Sequence, residues 1–236
     1  LGVLFRYAML IVTSCVMLVA IYMSFMFAPR DANLGDVQRI LYIHVPIAIL
    51  ALSGFALVMV GSLTYLVRRQ PRWDAFAHAS AQVGLLFASI TLITGAIWAK
   101  PVWNAWWLWT PRLTTTLILW LIYVAYLMIR SYAPSQPKAA IYGAAMGIIG
   151  FADVLVVYFS VQWWPGIHPT PVVGPLADSG SLESTMRSVL LFSFLTFLAL
   201  LTYLIMERIA LHDTEERVRG IRFSLRRACQ DVIHGD

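Results

Sequence analysis

The chain has 236 residues, 60% of them apolar and only 12% charged, with a mean hydropathy of +0.74. A soluble domain carries about 25% charged and about 45–50% apolar residues, and this chain has too little polar side chain to cover so much apolar surface in water. The net charge of +5 therefore points to basic loops and anionic lipid headgroups, and nucleic acid is not an expected partner.

About 20 apolar residues cross a bilayer as a helix. Six runs qualify, at 7–28, 41–66, 76–98, 113–132, 139–160 and 188–210. The expected fold is all-α, a polytopic membrane protein of six transmembrane helices. It divides into a six-helix transmembrane domain over 1–211 and a charged cytoplasmic tail over 212–236. The first run is too long for the apolar part of a signal peptide and has no small-residue cleavage site behind it.

Lys and Arg set the orientation. With the N-terminus inside, twelve lie within: Arg6, Arg68, Arg69, Arg72, Arg130, Lys138, Arg208, Arg217, Arg219, Arg222, Arg226 and Arg227. Five lie outside: Arg30, Arg39, Lys100, Arg112 and Arg187. The bias gives an N-in, C-in topology. The inner loops, 67–75 and 131–138, are short and basic. The outer loops are 29–40, 99–112 and 161–187, and the last two are dense in Trp, Pro and His, so chemistry is expected on the outer face.

In chain order, the first candidate is His44, within Tyr42-Ile43-His44-Val45-Pro46 at the outer entry to the second helix. Next comes the loop containing Trp98, Trp103, Trp106, Trp107 and Trp109, five of nine tryptophans within twelve residues. An interfacial aromatic belt explains one or two Trp per helix end. Five in one loop suggest a broad apolar surface for a planar aromatic ligand or a partner protein. A helix over 101–109 would put Trp103, Trp106 and Trp107 on one face. Arg112, which follows, either snorkels to headgroups or pairs with a carboxylate; Lys100 is a weaker candidate for the same role. His168 lies in Gly166-Ile167-His168-Pro169, in a third loop stiffened by Pro165, Pro169, Pro171 and Pro175.

His44 and His168 are the two histidines expected outside. Each alone reads as a polar interface residue; as a pair they could ligate one metal ion from opposite sides. His78, His212 and His234 are expected to be structural or solvated. Asp153 is an acid inside a span, costly there unless neutral or paired; a structural hydrogen bond and support of a ligand histidine both stay open. Cys15 and Cys229 fall in separated segments, so no disulfide is expected. There is no CxxCH for covalent haem, no nucleotide loop, no hydrolytic triad and no HExxH. The tail, with Val218, Ile221, Phe223 and Leu225 among its charges, reads as a helix on the inner surface. Two further classes fit a polytopic chain of this kind: an ABC-type permease subunit for a small molecule and a b-type respiratory membrane anchor.

The stretch 98–114 resembles the tryptophan-rich signature of haem-handling proteins in cytochrome c biogenesis. The segments 40–46 and 159–168 resemble the histidine segments of one branch, the CcmC family of the cytochrome c maturation system. The likeness covers nearly the whole chain. It implies non-covalent b-type haem bound outside the cytoplasm of a bacterial inner membrane, with His44 and His168 as axial ligands. Trp103, Trp106, Trp107 and Trp109 would form the platform, with propionates near Arg112 or Lys100. It also implies a presenter of haem, not an enzyme. The implied partners are a CcmD-like small membrane protein, a CcmE-like haem chaperone whose own histidine becomes attached to haem, and CcmA/CcmB-like ABC transporter subunits. The sequence departs from the family at Ala99, where Gly is usual, at Thr110, where an acid is usual, and at Asp153, where Asn tends to stand. Thr110 followed by Pro111 can still cap the next helix, but the acid's charge is gone.

Overall fold

The structure, a computed structural model, describes residues 2–164, 166–168 and 182–234, with side chains described as far as 226. Pro165, Pro169, Pro171 and Pro175 of the third loop, together with the side chains of Arg227, Cys229 and His234, lie outside the described residues. The fold is all-helical, and six helices are long and apolar enough to cross a membrane. They are α1 (Val3–Tyr22), α2 (Leu41–Arg68), α3 (Pro71–Trp103), α4 (Pro111–Tyr132), α5 (Gln136–Trp163) and α6 (Ser184–His234). Each of the six expected runs falls on one of them.

Local sequence sets the ends. Pro71 and Pro111 open α3 and α4, where a missing N–H costs nothing, and Arg69, at φ +54°, ends α2. The connections expected over 67–75 and 131–138 shorten to residues 69–70 and 133–135. Between α1 and α2, Asp31 Oδ1 accepts from the amides of Asn33 and Leu34, both at 2.8 Å. A 3-10 turn, Asp36–Ile40, leads into α2, and Arg39 donates to the carbonyls of Ser24 and Phe25 to tie down the end of α1.

Small residues let the central helices approach closely, the usual route to packing in lipid. A Cβ on Gly54 of α2 would lie 3.1 Å from the Gly84 Cα of α3. The core around this crossing holds Phe55, Val58, Phe87, Tyr123 and Tyr126. Phe55 and Tyr123 stack with centroids 3.7 Å apart. Two further acids in these helices form ion pairs between helices. Asp74 of α3 pairs with Arg130 of α4, and Glu207 of α6 pairs with Arg6 of α1. The latter pair pins α1, which buries only Thr13 and Ala20, to α6.

Two sequence expectations need correction. No separate helix forms over 101–109. Instead α3 runs on through Lys100 and Pro101 to Trp103 and stops at Asn104, in the left-handed region at φ +54°. A proline near a helix's last turn removes one hydrogen bond without ending the helix, and Asn tolerates the left-handed conformation that does end it. The second correction concerns the tail: residues 212–234 continue α6 without a break. Its 51 residues make a rod of about 75 Å, more than twice the hydrocarbon thickness of about 30 Å.

Candidate haem site at the tryptophan end

Short connections make α2, α3, α4 and α5 run up and down in turn, so the start of α2, the end of α3, the start of α4 and the end of α5 share one end of the bundle. Side-chain contacts agree. Tyr42 of α2 packs with Ala28 beyond α1 and with Met186, Val189 and Leu190 of α6. Every residue singled out for chemistry except Asp153 lies at this end or just beyond it.

His44 occupies the first turns of α2. Pro46 follows within the helix and cannot donate to the carbonyl four residues earlier. The imidazole is half-buried against α3. Its Nδ1 lies 2.9 Å from Thr94 Oγ1, and its Cε1 would be 3.1 Å from a Cβ on Gly95. That glycine leaves the space in which the ring sits.

At the end of α3, Trp98 and Trp103 meet edge to face with centroids 5.3 Å apart. Trp103 in turn lies 6.3 Å from the His168 ring. His168 shares a cleft with Thr110, Arg112, Ser160 and Trp164. Arg112 lines the cleft of His168, half-buried and with no ion pair among the described residues.

The expected common face of Trp103, Trp106 and Trp107 does not form, because the helix ends at Asn104. Trp107 and Trp109 pair with each other at 5.8 Å and roof an apolar groove floored by Leu92, Ile93, Ala96 and Leu117. The Trp107 Nε1 is buried with no acceptor among the described residues. Trp106 and Trp109 are 60% and 75% exposed, which leaves a ring face of each open to a ligand, lipid or partner. Lys100 is engaged in capping α3, with Nζ 3.3 Å from both the Asn104 carbonyl and its Oδ1. A cation there also suits the negative end of the helix dipole.

Thr110 caps α4 as its sequence allows, its Oγ1 accepting from the Leu113 amide at 3.4 Å. Asp153 lies on α5 with Oδ2 buried and without a partner among the described residues. Thr94 and Gly95 were missed by sequence reasoning. The only available signal was a hydroxyl beside a glycine within an apolar helix, which marks a close approach but does not say of what.

The arrangement offers two imidazoles, an arginine without an ion pair, an unpaired indole N–H and apolar ring faces. That set suits a planar aromatic ligand with an electrophilic metal centre and carboxylates at its edge. Comparison with known proteins gives the same direction. The model of the family described as "CcmC: Heme exporter protein C" matches residues 3–223. A "Heme exporter protein C" of Escherichia coli K12 is 32% identical over 191 residues, covering 80% of this chain and 76% of that one. One of Bradyrhizobium diazoefficiens is 30% identical over 210 residues, covering 89% and 79%. A Marchantia polymorpha protein described as a "Putative cytochrome c biosynthesis ccmC-like mitochondrial protein" is 32% identical over 196 residues, covering 82% and 83%.

Proposed function

The chain belongs to the CcmC family of heme exporter proteins, multi-pass membrane components of haem handling in cytochrome c biogenesis, and from that premise we propose that it holds haem as a non-covalent cargo at the tryptophan end and presents it to a chaperone. His44 and His168 are the axial ligands, approaching the iron from α2 and from beyond α5. Arg112 receives a propionate, with Lys100 in reach of the other once it leaves Asn104. Trp107 Nε1 supplies a further donor. Trp98, Trp103, Trp106 and Trp109 supply apolar and ring surface for the porphyrin edge.

The observation that carries this reading is the seat of His44. Its imidazole is held by Thr94 and accommodated by Gly95, at the same end of the bundle as His168, Arg112 and the tryptophans. A histidine that served only as an interfacial polar group would need no such fitted space. The Lys/Arg bias favours an N-in, C-in topology, and the bacterial relatives favour an inner membrane with this end facing the periplasm.

Binding and hand-over make up the function. This chain forms no covalent bond with its cargo. Haem passes to a CcmE-like chaperone, whose own histidine makes the covalent attachment, while a CcmD-like small membrane protein and CcmA/CcmB-like ABC transporter subunits complete the assembly. The relatives are named for haem, which argues against a permease for another small molecule. A respiratory b-type anchor would carry its ligands within the spans, whereas His168 lies beyond the end of α5.

The test is the absorption spectrum of the purified protein. Wild-type protein is expected to show a Soret band of six-coordinate haem, and His44→Ala with His168→Ala is expected to lose it. An unchanged band in that double variant would remove both ligand assignments.

A further inference from the structure

The contact between His44 Nδ1 and Thr94 Oγ1, 2.9 Å long, does not by itself say which atom donates. A neutral imidazole nitrogen serves as either donor or acceptor. The surroundings of Thr94 decide it. A threonine hydroxyl has one proton, and this oxygen also lies 2.8 Å from the Ile90 carbonyl and 3.3 Å from that of Thr91. Carbonyl oxygens only accept. The Thr94 proton is therefore committed to its own helix, in the pattern by which Thr bonds back to the preceding turn. Its lone pair faces His44, so Nδ1 must be the donor.

A neutral imidazole carries a single N–H. With that proton on Nδ1, Nε2 holds the lone pair, the form a metal requires. Gly95 fixes the ring's position as Thr94 fixes its proton. A Cβ at Gly95 would lie 3.1 Å from Cε1 and 3.8 and 3.9 Å from the two nitrogens, so this residue bounds the edge of the ring between them. Two consecutive residues of α3 thus hold one histidine of α2.

We propose that Thr94 is a positioning residue that locks His44 as its Nδ1–H tautomer, so that Nε2 is the atom offered to the haem iron. The proposal rests on the reading of His44 as a ligand. Partners of this kind orient a ligating histidine and raise its basicity, and their loss commonly weakens metal binding about 10–100-fold. A more basic ligand also favours the ferric state, so losing the hydrogen bond moves the haem potential in the positive direction.

The experiment uses the full chain in lipid nanodiscs, titrated with haem and then poised by redox titration. Thr94→Val keeps the side chain's shape and removes its oxygen, whereas Thr94→Ser keeps the oxygen. Thr94→Val is expected to weaken haem binding about 10–100-fold and to raise the midpoint potential, with Thr94→Ser near wild type in both. His44→Ala is measured beside them. If His44→Ala leaves haem affinity and spectrum unchanged, the ligand reading itself fails. If His44→Ala loses the ligand but Thr94→Val matches wild type in affinity and potential, the role of Thr94 is overturned and the ligand reading stands. Nitrogen-15 NMR of ring-labelled histidine in wild-type apo-protein gives a readout that needs no variant to fold. A His44 proton on Nδ1 supports the proposal and one on Nε2 overturns it.

Discussion

Arg130 of α4 grips Asp74 of α3 with both prongs of its guanidinium, Nη1 to Oδ1 at 2.5 Å and Nη2 to Oδ2 at 2.8 Å. A third helix closes over the pair. A Cβ on Gly143 of α5 would stand 2.5 Å from Arg130 Nη1, so α5 can approach only as glycine. The pair lies at the end of the bundle opposite His44, with both side chains largely buried. Asp74→Ala leaves a buried guanidinium without its counter-charge and is expected to cost about 3–5 kcal/mol. Replacing both, as Asp74→Leu with Arg130→Met, is expected to restore much of that loss. Unfolding in detergent titrated with SDS compares the three proteins. Wild-type stability in Asp74→Ala would show that the pair does not hold α3 to α4.

Thr110 makes a second point of test, because the tryptophan-rich signature that this stretch resembles carries an acid there. Its hydroxyl accepts from the Leu113 amide, and Thr110→Ala is expected to lose about 1 kcal/mol. Thr110→Asp restores a carboxylate at an N-cap, where it also meets the positive end of the α4 dipole. Its thermal midpoint is expected to equal or exceed that of wild type. A lower midpoint would mean that the acid conflicts with Arg112 or its neighbours, and that Thr110 is accommodated by more than capping.

Gly95 separates fold from ligand binding. Alanine is the better helix former by about 0.5–1 kcal/mol, yet its Cβ would press on the His44 ring at Cε1. Gly95→Ala is expected to leave apo-protein stability near wild type while weakening haem binding severalfold, as read by Soret titration. Undiminished haem affinity would show that the ring shifts without consequence for the metal.

The six helices were legible in the sequence because hydropathy is a local property, averaged over twenty neighbours. His44, His168 and the tryptophans were legible as chemical types placed near one end. Their arrangement was not. The helical face over 101–109 failed because α3 runs through Pro101 and ends at Asn104, in a left-handed conformation. Thr94 escaped notice because its meaning lies in a contact 50 residues away in sequence. Asp74 and Arg130 form a buried pair across 56 residues, which no local pattern announces. In the last two cases the missing information was non-local. Periodicity can place a residue on a face, but only the packed neighbour says what that face meets.

The unbroken course of α6 has a mechanical meaning. Its first turns, at Met186, Val189 and Leu190, press on Tyr42, two residues from His44. Its last described turns lie about 70 Å beyond Met186 along the same axis. A lever of that length turns a tilt of about 10° into a sweep of roughly 10 Å at its far tip. A grip on residues 212–234 and the seating of α6 against Tyr42 are therefore two ends of one shaft. Any docking that fixes the angle of the far end also sets the angle at which α6 bears on the turn that carries His44.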